Sequence, residues 1–537
     1  MSETSEKSTT RATATPEAPS TPETPARLTR AQWWLLVVAC AAVALVVAAM
    51  ASLNMALPDI AVDVGATQSQ LTWIVDSYTL VLAAFLLPAG ALGDRYGRRG
   101  VLVAGLAIVG VASALPLVLD SPTWIIVARG LAGLGAALVM PATLSVITAG
   151  FPEERRARAV GIWAGTAGAG CIAGMLVSGV ILEYSSWLMI FVCFAVAAAV
   201  LLTASLTIAS SRAQEQWPPD LLGSALSILA VGLFVFGLME GPHRGWADAS
   251  VLACIILGLA AATGFVLAEL HTPDSARRSG RAAARSRRAV TDRAFGSGAL
   301  TLLFQFVAMF GVFFIVVQYL QLVLGYSPLD SSIQLIPLIL LVMTVSVLIP
   351  PIVPRVGLRF LFAGGLALLT GAFVLIGELD PQSSTVLINA ALLLPGIGMG
   401  MVSAPATHAI VSSTPDDKQG VASAVNDATR ELGAAIGVAV AGSMLAAMYG
   451  RGIEPVAEMI PDPTARSAVS DSLASALKVA EAAGPRGDEL ADLARSAFLE
   501  GMQQASWTIA VILAVGAVVA AFLSPGRPRI TKGREPA

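Results

Sequence analysis

Two carboxylates and an arginine stand close together in "SAVNDATRELGAAIGVAVAG", Ser423 to Gly442, a stretch otherwise apolar and rich in small residues. Asp427 and Glu431 are four apart, so on a helix they lie one above the other on a single face. Two such carboxylates in a low dielectric resist ionising together, which raises the proton affinity of the pair. Arg430 follows Asp427 by three residues and can neutralise one of them. What remains is a net single site that a proton or an organic cation can occupy, each displacing the other. Glu431 is assigned as proton carrier and Asp427 as cation contact; the competing reading is an Arg430–Asp427 ion pair that only joins helices. Asp76 and Arg129 form a second candidate set in the first half of the chain, again inside apolar runs.

Other reactive residue types form no recognisable site. Cys40, Cys171, Cys193 and Cys254 lack zinc or redox spacing, His243, His271 and His408 form no metal pattern, and no Walker loop or catalytic-serine motif occurs. No enzyme, metal or cofactor is expected. Net charge is −3, which offers no bulk attraction for nucleic acid.

The elements that must carry these charges are membrane helices. Of 537 residues, 56% are hydrophobic and 13% charged, where a soluble chain has about a quarter charged. About 20 apolar residues span a hydrocarbon core. Fourteen runs of that kind begin near residues 33, 72, 100, 122, 158, 187, 220, 250, 297, 329, 358, 384, 419 and 502. Basic loops alternate along them: Arg95, Arg98 and Arg99; then Arg155, Arg156 and Arg158; then "RRSGRAAARSRR" (Arg277 to Arg288); then Arg527, Arg529, Lys532 and Arg534. By the positive-inside rule both termini are expected in the cytoplasm of a cell-membrane protein. On this ruler Asp76 lies roughly 6 Å and Arg129 on the order of 10 Å from the outer edge, and the two are expected to share an outer vestibule and to pair or exchange partners. Asp427 and Glu431 lie roughly 12 to 18 Å from the cytoplasmic edge, near mid-membrane. A charge there costs about 2.5–3.5 kcal/mol on insertion scales, so it marks function by default.

Three matches recur in order at a separation of about 260 residues. "DRYGRR" (Asp94 to Arg99) parallels "PRVGLR" (Pro354 to Arg359), and "PATLSVI" (Pro141 to Ile147) parallels "PATHAIV" (Pro405 to Val411). "FPEERRARAVGIWAGTAGAGCIAG" (Phe151 to Gly174) parallels "TPDDKQGVASAVNDATRELGAAIG" (Thr414 to Gly437), aligning Gly170 with Gly433 and Gly174 with Gly437. The expected all-α architecture is two parallel six-helix halves flanking a midplane cavity, with runs seven and eight inserted. The chain then divides into a disordered tail (1–30), a first half (31–210), the inserted pair (211–272) and a basic loop (273–296). Beyond these come runs nine to thirteen (297–448), a helical segment outside the membrane (449–501), the last helix (502–524) and a short tail (525–537).

"LPAGALGDRYGRRGVL" (Leu87 to Leu102) resembles the loop signature of the major facilitator superfamily, with Gly90, Asp94, Arg95, Gly97, Arg98 and Arg99 all fitting. Gly90 permits close helix contact, Gly97 a tight turn, and Asp94 can cap a neighbouring helix N-terminus while the arginines pair across the halves. Such a cluster would latch the cytoplasmic gate shut and release it as the halves rock. With "WIVDSY" (Trp73 to Tyr78), "RGLAGLGAALVMPATLSVI" (Arg129 to Ile147) and "FGLMEGPHRGW" (Phe236 to Trp246), the chain resembles the fourteen-helix drug:proton antiporters. Those are pumps for quaternary ammonium compounds and the antibiotic exporters of actinomycetes. The resemblance implies export of a small amphiphilic molecule, lipophilic cations above all, by a monomer drawing on the proton gradient, with Arg129 matching the arginine associated with proton coupling. It departs from the family pattern at three positions: Ala49 replaces an acid, Ala132 a glutamine, and Met175 the proline that would kink the fifth helix. Gly165, Gly170, Gly174, Gly433 and Gly437 are read as helix-packing glycines. The substrate wall is expected from Phe304, Phe306, Phe310, Phe313, Phe314 and Tyr319, with Gln305 and Gln318. An uptake carrier or proton-independent facilitator, and a non-transporting sensor or scaffold, are the competing functions.

Overall fold

The computed structural model describes residues 29–66, 68–210, 221–271, 293–414, 419–484 and 487–526. The expectations placed on residues 1–28, on 272–292 and on the tail after residue 526 lie outside these. Among the described residues fourteen helices are long and apolar enough to cross a membrane, and no strand occurs. In chain order they are α1 (Arg30–Ser52), α2 (Gln68–Tyr96), α3 (Arg98–Ala114), α4 (Pro122–Gly150), α5 (Glu153–Tyr184), α6 (Leu188–Ser205) and α7 (Leu221–Arg244). The others are α8 (Ala249–His271), α9 (Arg293–Gln318), α10 (Pro328–Leu348), α11 (Leu358–Gly377), α12 (Thr385–Ser412), α13 (Gln419–Ala457) and α14 (Asp488–Leu523). Starts are set locally. Thr29 and Gln32 form a reciprocal capping box on α1, and Ser327 and Ser384 cap α10 and α12.

The two halves pack alike. In the first, α5 lies on α1, α4 on α2 and α3, and α6 on α3; in the second, α13 lies on α9, α12 on α10 and α11, and α14 on α11. Between the halves α2 meets α13 and α5 meets α10, contacts that exchanging the halves interconverts. The repeat extends to single residues. Gly97 and Gly357 open α3 and α11 at φ 104° and 88°, values that favour glycine. Arg99 donates to the carbonyls of Leu206 and Ile208 just past α6, at 3.4 and 3.1 Å, and Arg359 donates to Ser524 O just past α14 at 3.3 Å. Each arginine thus sits where a helix C-terminus favours a cation. Of the inserted pair, α7 rests against both α2 and α13, bridging the halves on one flank, and α8 packs on α7.

The segment between the last two helices departs from a simple hairpin. α13 runs for 39 residues, about 58 Å at 1.5 Å per residue, well beyond a hydrocarbon core. α14 begins at Asp488, joining "DELADLARSAFLEGM" to the membrane span as one helix. Between them, "ARSAVSDSLASALKVAEAA" splits into helices Pro463–Asp471 and Leu473–Ala483, because Ser472 is extended and its hydroxyl accepts from Ser475 N. Tyr449 donates to Val469 O at 2.9 Å, and Ile453, Leu473, Ala476 and Phe498 continue the core of the second half into this cap.

Candidate functional site

Asp427, Arg430 and Glu431 all lie buried on α13, at 0%, 7% and 7% exposure. Asp427 Oδ1 accepts from Asn426 Nδ2 at 3.0 Å and from Arg430 Nη1 at 3.4 Å. That ion pair is long and single-pronged, unlike the bidentate arginine–carboxylate pair. The guanidinium instead lies over two rings, 4.7 Å from the centroid of Phe306 on α9 and 5.2 Å from that of Trp163 on α5. Asp427 Oδ2 and Glu431 Oε2 find no hydrogen-bond partner among the described residues. Buried carboxylate oxygens are ordinarily satisfied, because stripping them of water is costly. With both acids ionised the trio carries one net negative charge, which one proton or one monovalent cation cancels.

Arg430 and Glu431 border a cleft between the halves, walled by Met50 of α1, Met140 of α4, Met309 and Phe310 of α9, and Phe306. Its empty volume is about 410 Å³ including the open mouth, but only about 20 Å³ admits a water-sized sphere. That space suits a water rather than a drug-sized ligand, so the cleft is closed here. Phe306 and Phe310 stack at 6.4 Å, being one turn apart on one face. Phe304, Phe314 and Tyr319 of the expected aromatic wall turn elsewhere. A Cβ on Gly516 of α14 would touch the Phe304 ring, one on Gly442 would meet Phe314, and Tyr319 is fully buried with its hydroxyl on Asp380 O. Gln305 is buried and Gln318 donates to Phe314 O. A smaller apolar hollow of about 170 Å³ between α9 and α14 has no charged lining.

The expected Asp76–Arg129 pair does not form. Arg129 is 2% exposed and donates to Ile74 O at 3.0 Å and to Ala49 O at 2.9 Å, with its guanidinium 4.3 Å from the Tyr78 ring. Ile74 and Tyr78 are four apart and share the face of α2 turned to Arg129. Asp76 is two residues from either and points roughly 200° away. Similar depth placed the two charges at one level but not on facing sides. Arg129 Nη2 is buried without a hydrogen-bond partner among the described residues. Position 49, where the family pattern has an acid, offers only its backbone carbonyl. The Tyr78 hydroxyl donates to Val46 O at 2.7 Å.

At the arginine-rich end, Asp94 joins the halves. Its carboxylate accepts from Gly420 N at 2.8 and 2.9 Å and from Val421 N at 3.2 Å, capping the start of α13. Arg98 holds it from behind, Nη2 to Oδ1 at 3.1 Å. Arg98 thus meets a carboxylate of its own half. Arg99 likewise binds carbonyls of its own half, and Arg95 lies over the Tyr96 ring at 5.3 Å. A Cβ on Gly90 would overlap Gly420 O and Ala424, so the close crossing needs glycine. The second copy of the motif has Pro354 where the first has Asp94, so no such carboxylate stands there. The mirror seam is packed by glycine instead: a Cβ on Gly161 would lie 2.8 Å from Ser346 O, and one on Gly165 3.3 Å from Met343 Cα. Gly165 therefore packs between the halves. Gly170 and Gly174 face Ala44 and Ala48 of α1, and Gly433 and Gly437 face Leu303 and Val307 of α9. No proline interrupts α5 over its 32 residues.

Sequence reasoning missed Trp163, Asn426, Tyr78 and the methionines of the cleft. Asn426 was visible as the polar neighbour of Asp427. Trp163 had one signal, a large aromatic in a helix of small residues; its partner 267 positions away had none.

Two six-helix repeats packed alike around a cleft are the architecture of a membrane transporter. The chain belongs to the major facilitator superfamily: the profile described as Major Facilitator Superfamily matches residues 39–438. It is 30% identical over 486 residues to the multidrug resistance protein Stp of Mycobacterium tuberculosis, covering 88% of each chain. It is also 30% identical over 479 residues to the methyl viologen resistance protein SmvA of Salmonella typhimurium, covering 86% of this chain and 93% of the other. Among solved structures it superposes on the human organic anion transporter MFSD10 with a TM-score of 0.58 at 14% identity, over 92% of this chain and all of that one.

Proposed function

We propose that the protein exports amphiphilic drugs or antibiotics, lipophilic cations in particular, in exchange for protons by rocking of its two halves. The observation that carries this reading is the pair of carboxylate oxygens, Asp427 Oδ2 and Glu431 Oε2, that have no hydrogen-bond partner among the described residues, beside Arg430 at the cleft. An empty trio with both acids ionised holds one net negative charge in a closing apolar space, which opposes the transition. A proton on Glu431, or a cation against Asp427, cancels it. Rocking then proceeds with either passenger and not with neither, which is the condition for obligate exchange. Relatives named for multidrug and methyl viologen resistance support the substrate class, methyl viologen being itself an organic cation. In the proposed orientation the arginine-rich end faces the cytoplasm of the cell membrane, both termini with it. The Asp94 cap then closes the inner mouth, and the cleft functions within a single chain.

The test is accumulation of a fluorescent lipophilic cation in cells expressing the protein, with and without a protonophore. Lower accumulation that the protonophore reverses is the expected result. Higher accumulation would make the protein an uptake carrier, protonophore-insensitive export would remove the coupling to protons, and no change would reduce it to a sensor or scaffold.

A further inference from the structure

Two buried aromatic rings, one from each half, meet the protein's own cation. Trp163 belongs to α5 of the first half and Phe306 to α9 of the second. Both are buried, at 0% and 6% exposure. The Arg430 guanidinium is near both rings, while its ion pair with Asp427 is stretched to 3.4 Å and Glu431 Oε2 has no hydrogen-bond partner among the described residues. A guanidinium optimising its charge contacts would fork onto a carboxylate. Here it is held against aromatic faces instead, and it leaves carboxylate oxygens unused beside it. Trp163 is itself fixed, its indole N–H donating to Thr143 Oγ1 at 3.1 Å. Phe306 is braced by the stacked Phe310.

We propose that Arg430 is a resident stand-in for the substrate's cation, and that the rings of Trp163 and Phe306 select planar, delocalised cations such as aromatic amidinium and acridinium ions. The proposal rests on the export reading and sharpens its substrate class. A flat cation entering the cleft takes the aromatic faces that the guanidinium occupies. The displaced guanidinium swings onto Glu431 or Asp427, whose free oxygens are within the reach of a residue three or one positions away on the same helix. This compensates the carboxylate and lowers its affinity for a proton, so substrate entry and proton release share one moving side chain. A tetrahedral cation such as tetraphenylphosphonium has no flat cationic face to lay on either ring, and binds in the cleft, once it opens, without displacing Arg430. The charge balance holds at each step: one cation enters, one proton leaves, and Arg430 changes partners without changing charge.

The experiment measures equilibrium binding of proflavine, flat and singly charged, and of tetraphenylphosphonium, tetrahedral and singly charged, to the purified full-length protein in nanodiscs. Arg430→Lys keeps the charge but lacks the flat group that stacks. Proflavine affinity is expected to rise about tenfold in this variant, because the rings no longer have a well-fitting occupant. Tetraphenylphosphonium affinity is expected to change less than about twofold. Trp163→Leu, with Arg430 intact, is expected to lower proflavine affinity about fivefold or more and to spare tetraphenylphosphonium. This second variant leaves the charged trio untouched and serves if the first does not fold. Equal shifts for the two probes in either variant, or a fall in proflavine affinity in Arg430→Lys, would overturn the proposal while leaving cation export standing. Failure of the wild type to bind either probe would overturn both.

Discussion

Replacing Asp94 by asparagine is expected to open the arginine-rich end. In the closed form the carboxylate accepts from two backbone N–H groups at the start of α13, those of Gly420 and Val421. Asparagine keeps an acceptor oxygen but not the charge. A hydrogen bond to a charged group contributes about 1.5–3 kcal/mol and a neutral one about 0.5–1.5, so about 1 kcal/mol is lost at each donor. The lost interaction with the helix N-terminus adds roughly 0.3–1 kcal/mol. The Asp94–Arg98 pair lies within one half and is common to open and closed forms, so it drops out of the difference. The closed state should thus weaken by about 2–3 kcal/mol, roughly a 30- to 140-fold shift in its population ratio at about 1.4 kcal/mol per tenfold. Spin labels at exposed Tyr96 of α2 and Val421 of α13 report the separation by pulsed electron resonance in nanodiscs. The wild type should give one short distance and Asp94→Asn a dominant longer one. A distribution unchanged by Asp94→Asn would refute the role assigned to this cap.

Gly437→Ala should lower the melting temperature, because its Cβ would sit 2.5 Å from Val307 O, and overpacking of that kind costs about 1–3 kcal/mol. Gly93→Ala, whose Cβ meets nothing within 4 Å, is the matched control and should leave it unchanged. Ala49→Asp should raise thermal stability in detergent by giving buried Arg129 Nη2 a charged partner, and Ala49→Asp in an Arg129→Met background should lower it by burying a lone carboxylate. A double-mutant cycle between the two positions measures that coupling, and a value near zero would contradict it.

The fold was legible because a bilayer imposes a length on every span, and because the repeat places Gly97 beside Gly357 and Arg99 beside Arg359 in register. The charged trio was legible for a related reason: three ionisable residues in an apolar helix are conspicuous. Facing and distance were not. Asp76 and Arg129 matched in depth, yet the face of α2 turned to Arg129 belongs to Ile74 and Tyr78. Six aromatic residues clustered in the sequence around α9, but of these Phe306 and Phe310 line the cleft. The Trp163–Arg430–Phe306 stack draws on three helices from both halves, and no local pattern encodes such a meeting. The overrun of α13 and α14 into a cap was hidden because a polar amphipathic helix continuing an apolar one reads as a separate element.

Proton release on substrate binding tests the central claim most directly. Purified protein in weakly buffered detergent solution, mixed with a lipophilic cation beside a pH-sensitive dye, should release protons as the cation binds, approaching about one per site where the trio is protonated. Glu431→Gln should bind the cation and release close to none. Cation binding by the wild type without proton release, or undiminished release from Glu431→Gln, would contradict exchange at Asp427, Arg430 and Glu431.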